Sequence, residues 1–192
     1  MRKWAAVLLT GAAIGGFAIG NGQAGAAKLG MSYLYFGRPS EYVALVDTTK
    51  GALNVVAPNF FDLTEDGLLK ITDKLNTDFI AEMRRKNIKV IPFLSNHWNR
   101  EIGIRALERR DTLAKQIADA VERYGLDGVN VDIENVTERE RDAYVQFIRA
   151  IRAALPKDKE VSVAVGAVPD GTPTGWQRSY DYKALAEHSD YL

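Results

Sequence analysis

Residues Leu126 to Asn135 read LDGVNVDIEN, a short apolar run with Asn130, Asp132 and Glu134 at alternate positions. Successive side chains on a strand point to opposite faces, so these three polar residues share one face. The other face is Val129, Val131 and Ile133, β-branched residues suited to packing under helices as the outer side of a parallel strand. The polar trio then points into whatever the sheet encloses. Ionised groups without partners are expelled from low-dielectric interiors or shift their pKa. Two carboxylates two residues apart on a buried strand therefore indicate metal binding, pairing with a cation, or acid–base chemistry. An internal ion-pair network is the structural alternative.

Working outward, MSYLYF at Met31 to Phe36 reads as a first strand, followed by a turn at Gly37 and a short helix over Glu41 to Val46. LNVVAP at Leu53 to Pro58 is a second strand, stopped by a proline that cannot donate to a ladder. Asp66 and Gly67, between FFDL and LLKI, can close a small inserted hairpin before a helix over Thr77 to Lys86. KVIPFL at Lys89 to Leu94 is the third strand, and a long helical stretch ends at Gly125, placed for a left-handed cap. After the fourth strand, Thr137 and Glu140 form a capping box for a helix with the buried stripe Tyr144, Phe147, Ile148, Ile151 and Leu155. Glu160 to Ala164 begins a fifth strand, Tyr182 to His188 reads as a helix, and Tyr191 and Leu192 begin a sixth strand.

Strands alternating with helices at intervals of about 30 residues predict βαβ units and a parallel sheet. An open doubly wound sheet is the other α/β solution, but no GxGxxG follows the first strand to mark a dinucleotide site. A closed (β/α)8 TIM barrel needs about 250 residues. The expectation is thus an incomplete barrel: strands 1 to 5, the start of 6, and edges left without partners.

Composition narrows the class. The chain has 192 residues, 46% hydrophobic, which is enough to bury a sizeable core. Lys plus Arg and Asp plus Glu both total 25, so nothing in the charge balance suggests a nucleic-acid partner or adhesion to anionic membranes. There is no cysteine, which excludes a disulfide scaffold and any thiolate metal site. Arg2 and Lys3 precede an apolar stretch from Trp4 to Ile19 and small residues ending at Ala24, Gly25 and Ala26. That layout predicts a signal peptide over 1–26 with an A-x-A cleavage site, hence export, a mature domain over 27–192 and no membrane association after cleavage.

Asp127, Asn130, Asp132 and Glu134 resemble the DxxDxDxE signature of glycoside hydrolase family 18, the chitinase-type enzymes. Asn130 stands where most chitinases carry the middle aspartate. That departure resembles the spore-associated branch, which acts on peptidoglycan of the spore cortex. IPFLSNHW at Ile91 to Trp98 and GWQRSYDYKALAEHSDYL at Gly175 to Leu192 look like the same branch. The resemblance implies a partial family 18 catalytic domain over 27–192. It implies a secreted glycosidase cleaving β-1,4 linkages next to N-acetylglucosamine in peptidoglycan or chitin, with no cofactor. An inactive fragment or a chitinase-like carbohydrate-binding protein is the alternative, and retention of Glu134 argues for the enzyme.

The residues allow matching roles. A glutamate against an apolar wall with Asp132 behind it has its charged form disfavoured by desolvation and like charge, as a general acid requires. The resemblance makes Glu134 the acid, and Asp132 the group that orients the substrate's acetamide. The acetamide oxygen is then the nucleophile, in the substrate-assisted, retaining route. Asp127 with Gly128 reads as structural, a turn cap at the start of the strand. The resemblance implies that Asn130 shortens the carboxylate relay of ordinary chitinases by one member, and Asn130 is expected among the substrate-binding residues. Trp98 after the third strand is placed to stack on a sugar or to pack, His97 to bond hydroxyls or to pack, and Tyr35 to line the cleft floor. Trp176 is either a lid contact or a cap on the core. The two histidines have no metal-ligand spacing, although Asp132 and Glu134 alone could serve as oxygen ligands for Mg2+.

Overall fold

The computed structural model describes residues 28–192; the expected leader over 1–26 lies outside the described residues. Strand β1 (Met31–Leu34) leads through a turn and helix α1 (Tyr42–Thr48) to β2 (Val55–Pro58). A hairpin of β3 (Phe61–Leu63) and β4 (Leu69–Ile71) follows. Its turn uses Gly67 at φ +75, and a Cβ there would meet the backbone of Arg105 and Ala106, so glycine lets the hairpin tip sit on the next helix layer. Helix α2 (Thr77–Arg85) starts at Asn76, whose side chain accepts from the amide of Phe79.

The third strand is interrupted. It divides into β5 (Lys89–Val90) and β6 (Phe93–Ser95), because Pro92 has no N–H to give the ladder. Hydrogen bonding nevertheless continues through the gap: Ile91 N–H donates to Val56 O, and Asn130 N–H donates to Pro92 O. The expected single long helix is also two, α3 (Arg100–Glu108) and α4 (Arg110–Tyr124). Residues 108–112 are all polar and none is buried, so the apolar stripe lapses there and the helix axis turns at Arg109. Gly125 ends α4 at φ +61.

Strand β7 (Gly128–Asp132) pairs in parallel with β6 and with β8 (Glu160–Val163), on either side of helix α5 (Arg141–Ala154). After β8 come a short 3-10 turn at Gly175–Ser179 and helix α6 (Tyr182–Ala186). Tyr191 then makes one parallel bridge to Ser162, the start of the sixth strand. The strand order is sequential and parallel throughout: β1, β2, β5/β6, β7, β8, Tyr191. Among the described residues this is an unclosed (β/α)8 barrel.

Alternation along the strands creates two cores. Outward residues, including Val56, Val90, Leu94, Val129, Val131 and Val161, pack under the helix stripes, with Tyr144, Phe147, Ile148 and Ile151 fully covered. Inward residues Val55, Ala57, Ile91 and Phe93 form a smaller barrel interior against Met31 and Tyr191. The carboxyl ends of the strands open onto one rim, where side chains of this fold are available for chemistry.

Candidate active site

The polar face of β7 divides by depth. Asn130 is buried, and its carboxamide is oriented by two neighbours: Oδ1 accepts from the Tyr33 hydroxyl at 2.9 Å, and Nδ2 donates to Ser162 Oγ at 2.8 Å. Asp132 ends the strand and lines a cavity of about 480 Å³ with Tyr33, Tyr35, Phe36, Phe93 and His97. Among the residues lining that cavity Asp132 is the only carboxylate. Glu134 lies two residues beyond the end of β7, in the loop and not on the strand as its alternation suggested. It still follows the inward phase, because Ile133 keeps the outward one and is fully buried.

Both carboxyls are held above their ordinary range. For Asp132 burial is the main cause, partly offset by a hydrogen bond from Ser95 and by the neighbouring His97. For Glu134 burial comes first and the charge of Asp132 second. Tyr33 is pushed up to about 12, by burial and then by Asp132, so its hydroxyl stays a neutral donor. Tyr180 is raised as well, through burial and then Glu134. Its hydroxyl donates to Ile133 O at 3.2 Å, next to Glu134 in the chain.

Aromatic rings stand on two sides. Tyr35 follows β1, packs 5.8 Å from Phe93 and 6.1 Å from His97, and borders Phe36, which is 81% exposed. On the other side Trp98 is 50% exposed and meets Trp176 edge to face at 5.1 Å; Trp176 in turn meets Tyr180 at 5.6 Å. Gly166 makes room for that stack, since a Cβ would come 2.8 Å from the Trp176 ring. Trp176 is therefore both a cap on the core and the support of Trp98.

His97 and Trp98 adopt left-handed backbone, at φ +47 and +65. The His97 amide donates to Ser95 Oγ, and its Nε2 lies 3.0 Å from Asp62 Oδ1 on the hairpin. His97 thus joins the hairpin to the site. Asp127 is not a turn cap. Its Oδ2 accepts from Val90 N–H at 2.8 Å, joining the start of β7 to β5, and its main chain takes up the ladder on both sides. Gly128, at φ +150, is needed because a Cβ would lie 1.9 Å from Glu160 O.

Sequence reasoning missed Tyr33, Ser162 and Tyr180, and it placed Asn96 on the rim after the third strand without giving it a role. Asn96 Oδ1 accepts from Glu134 N–H at 2.9 Å, and its Nδ2 donates to Glu134 O at 2.8 Å. Among the described residues no group of three or more His, Cys, Asp or Glu lies together to hold a metal ion. No helix among them is long and apolar enough to cross a membrane.

The profile of "Glycosyl hydrolases family 18" matches residues 32–192. The chain is 26% identical to the uncharacterized glycosylase YvbX of Bacillus subtilis (strain 168), over all of this chain and 58% of that one. It is 28% identical to the cortical fragment-lytic enzyme of the same organism, over 69% of this chain and 32% of that one. Among solved structures, the Bacillus cereus spore cortex-lytic enzyme SleL superimposes with a TM-score of 0.72 at 19% identity, covering 83% of this chain and 39% of SleL. The chain thus spans between about a third and three-fifths of the length of these relatives.

Proposed function

The chain belongs to glycosyl hydrolase family 18, and on that premise we propose that the protein is an exported glycosidase that hydrolyses β-1,4 linkages next to N-acetylglucosamine, with peptidoglycan preferred to chitin. The preference for peptidoglycan rests on the cortex-lytic relatives and on Asn130 in the signature. Export rests on the charged, apolar and small-residue layout of residues 1–26.

The observation that carries the proposal is the pair Asp132 and Glu134. Burial raises the pKa of both carboxyls, Asp132 is the only carboxylate lining the aromatic cavity, and Glu134 follows two residues on in the same inward phase. Glu134, protonated, donates to the glycosidic oxygen as the leaving sugar departs. Among the described residues lining the cavity no second carboxylate stands beside Asp132 to act as nucleophile, and the acetamide oxygen of the substrate attacks the anomeric carbon and closes an oxazolinium ring. Asp132 accepts the acetamide N–H and stabilises the positive charge that develops there. Water, deprotonated by Glu134, then opens the ring, and the anomeric configuration is retained. Asn130, neutral and fixed by Tyr33 and Ser162, holds the floor beneath Asp132. Trp98 and Tyr35 supply faces for sugar rings on the two sides.

The test is a matched pair of oligosaccharides given to the full-length protein, one N-acetylated and one with free amines. Hydrolysis of the acetylated member alone, and inhibition by a thiazoline mimic of the cyclised intermediate, are expected. Comparable rates on both, or a covalent glycosyl ester trapped on the protein, would replace this mechanism. Full activity after exhaustive chelation is expected as well, against a reading of Asp132 and Glu134 as Mg2+ ligands.

A further inference from the structure

We propose that Asn96 is a positioning residue for the acid, clamping the backbone of Glu134 and tying the acid's loop to the loop that carries Trp98. The inference rests on the reading of Glu134 as general acid. Because β7 ends at Asp132, the amide and carbonyl of Glu134 have no strand ladder to hold them. The Asn96 carboxamide replaces it. Its Oδ1 accepts from Glu134 N–H, and one Nδ2 hydrogen goes to Glu134 O. The other goes to Asn99 O at 2.8 Å. One acceptor and two donors are all used, and Asn96 is only 2% exposed, so the amide has a single satisfied orientation.

The next residue extends the same linkage. Asn135, at φ +59, donates from Nδ2 to Trp98 O at 3.0 Å. Arg100 binds Asn135 twice, from Nε to the carbonyl at 2.7 Å and from Nη2 to Oδ1 at 2.9 Å. Two loops that follow neighbouring strands are therefore joined at three consecutive levels, Asn96 to Glu134, Trp98 to Asn135 and Arg100 to Asn135. Helix α3 closes over the junction at Gly103, where a Cβ would lie 2.8 Å from both Asn96 Nδ2 and Val136 Cγ1. A general acid must reach hydrogen-bonding distance of the departing oxygen. A misplacement of about 1 Å costs on the order of 10²-fold, so a main-chain clamp on the acid acts on the chemical step while leaving its carboxyl free.

Aryl glycosides of N-acetylglucosamine oligomers with leaving groups of graded acidity separate positioning from general destabilisation. In the full-length protein, Asn96→Ala should lower kcat/KM by roughly 10- to 100-fold on a phenyl glycoside, which needs protonation to leave. It should stay near wild type on a 2,4-dinitrophenyl glycoside, which does not. Asn96→Asp keeps the acceptor for Glu134 N–H but sets a carboxylate oxygen against the carbonyls of Glu134 and Asn99, and should lose at least as much as Asn96→Ala with the same leaving-group dependence. If Asn96→Ala does not fold, the surface variant Arg100→Gln decides, with a smaller defect of the same leaving-group dependence. Equal losses on both glycosides, or no loss on either, would overturn the proposal. Glu134→Gln run in parallel keeps the two readings apart. If it retains the wild-type rate on the phenyl glycoside, the assignment of the acid fails; if it is inactive there while the Asn96 and Arg100 variants match wild type, only the clamp fails.

Discussion

The hydroxyl of Tyr33 on β1 donates a 2.9 Å hydrogen bond to Asn130 Oδ1 on β7, across a sheet in which β2 and β5/β6 lie between them. Strands in a flat sheet are about 4.8 Å apart, which would set β1 and β7 about 14 Å apart, beyond the reach of a tyrosine and an asparagine standing side by side. The contact requires a sheet rolled about its interior. It also fixes the character of the signature's second position, since a neutral amide is satisfied by a phenol on one side and the Ser162 hydroxyl on the other.

Asn130→Asp should place a further buried carboxylate on the face of Asp132. Burial and like charge would raise its folded pKa above the unfolded value of about 3.9. For a raised group the stability is full below the unfolded pKa and is lost as pH rises through the folded one. Melting curves should show the variant below wild type at pH 7, with the gap closing toward pH 4. A gap that is constant across that range would point to lost packing instead.

Asp127→Ala should cost about 1–3 kcal/mol, because it leaves the N–H of Val90, a residue only 1% exposed, without its acceptor. Asp127→Asn retains an oxygen and should cost well under half as much. Denaturant midpoints measure both, and equal losses in the two variants would show that the charge, rather than the acceptor, matters at this position.

Much of the fold was legible because it is written in local periods. The alternation at Val129 to Asp132, the left-handed end at Gly125, the capping box of Thr137 and Glu140, and the hairpin at Asp66 and Gly67 each depend on neighbours within a few residues. The rest depends on partners far away in the chain. Tyr33 meets Asn130 at a separation of 97 residues, Asn96 meets Glu134 at 38 and Asp127 meets Val90 at 37. No periodicity encodes such pairs. Asp127 could be recognised as structural from its place at the foot of the strand, but its partner could not be named. Pro92 within KVIPFL was a visible warning, since a proline cannot donate to a ladder. The end of β7 before Glu134 had no such signal.

The pH profile should carry the raised carboxyls. With Glu134 as the proposed general acid, activity should fall as pH rises through its pKa, and that limb should lie above the ordinary glutamate value of about 4.3. Asp132→Asn removes the second of the two causes and leaves burial, so the limb should move down in pH while staying above that value. The residual kcat/KM of this variant against pH is the measurement, and an unmoved limb would show that Asp132 does not act on Glu134.

Trp98→Ala should raise KM about tenfold with a smaller change in kcat, the effect of losing roughly 1.4 kcal/mol of ring stacking. Trp176→Ala removes the edge that supports Trp98 and should shift KM in the same direction by less. Kinetics on oligosaccharides of increasing length check both. A loss confined to kcat would place Trp98 in the chemistry and not in binding.

The central claim is that Glu134 protonates the departing sugar oxygen, and Glu134→Gln in the full-length protein tests it most directly. The variant should keep its fold, since the backbone of Glu134 is held by Asn96 and not by its carboxyl. Turnover of an unactivated N-acetylated glycan should fall by about 10²- to 10⁴-fold, because an amide has no proton to give. A folded Glu134→Gln protein that cleaves that glycan at the wild-type rate would contradict the account.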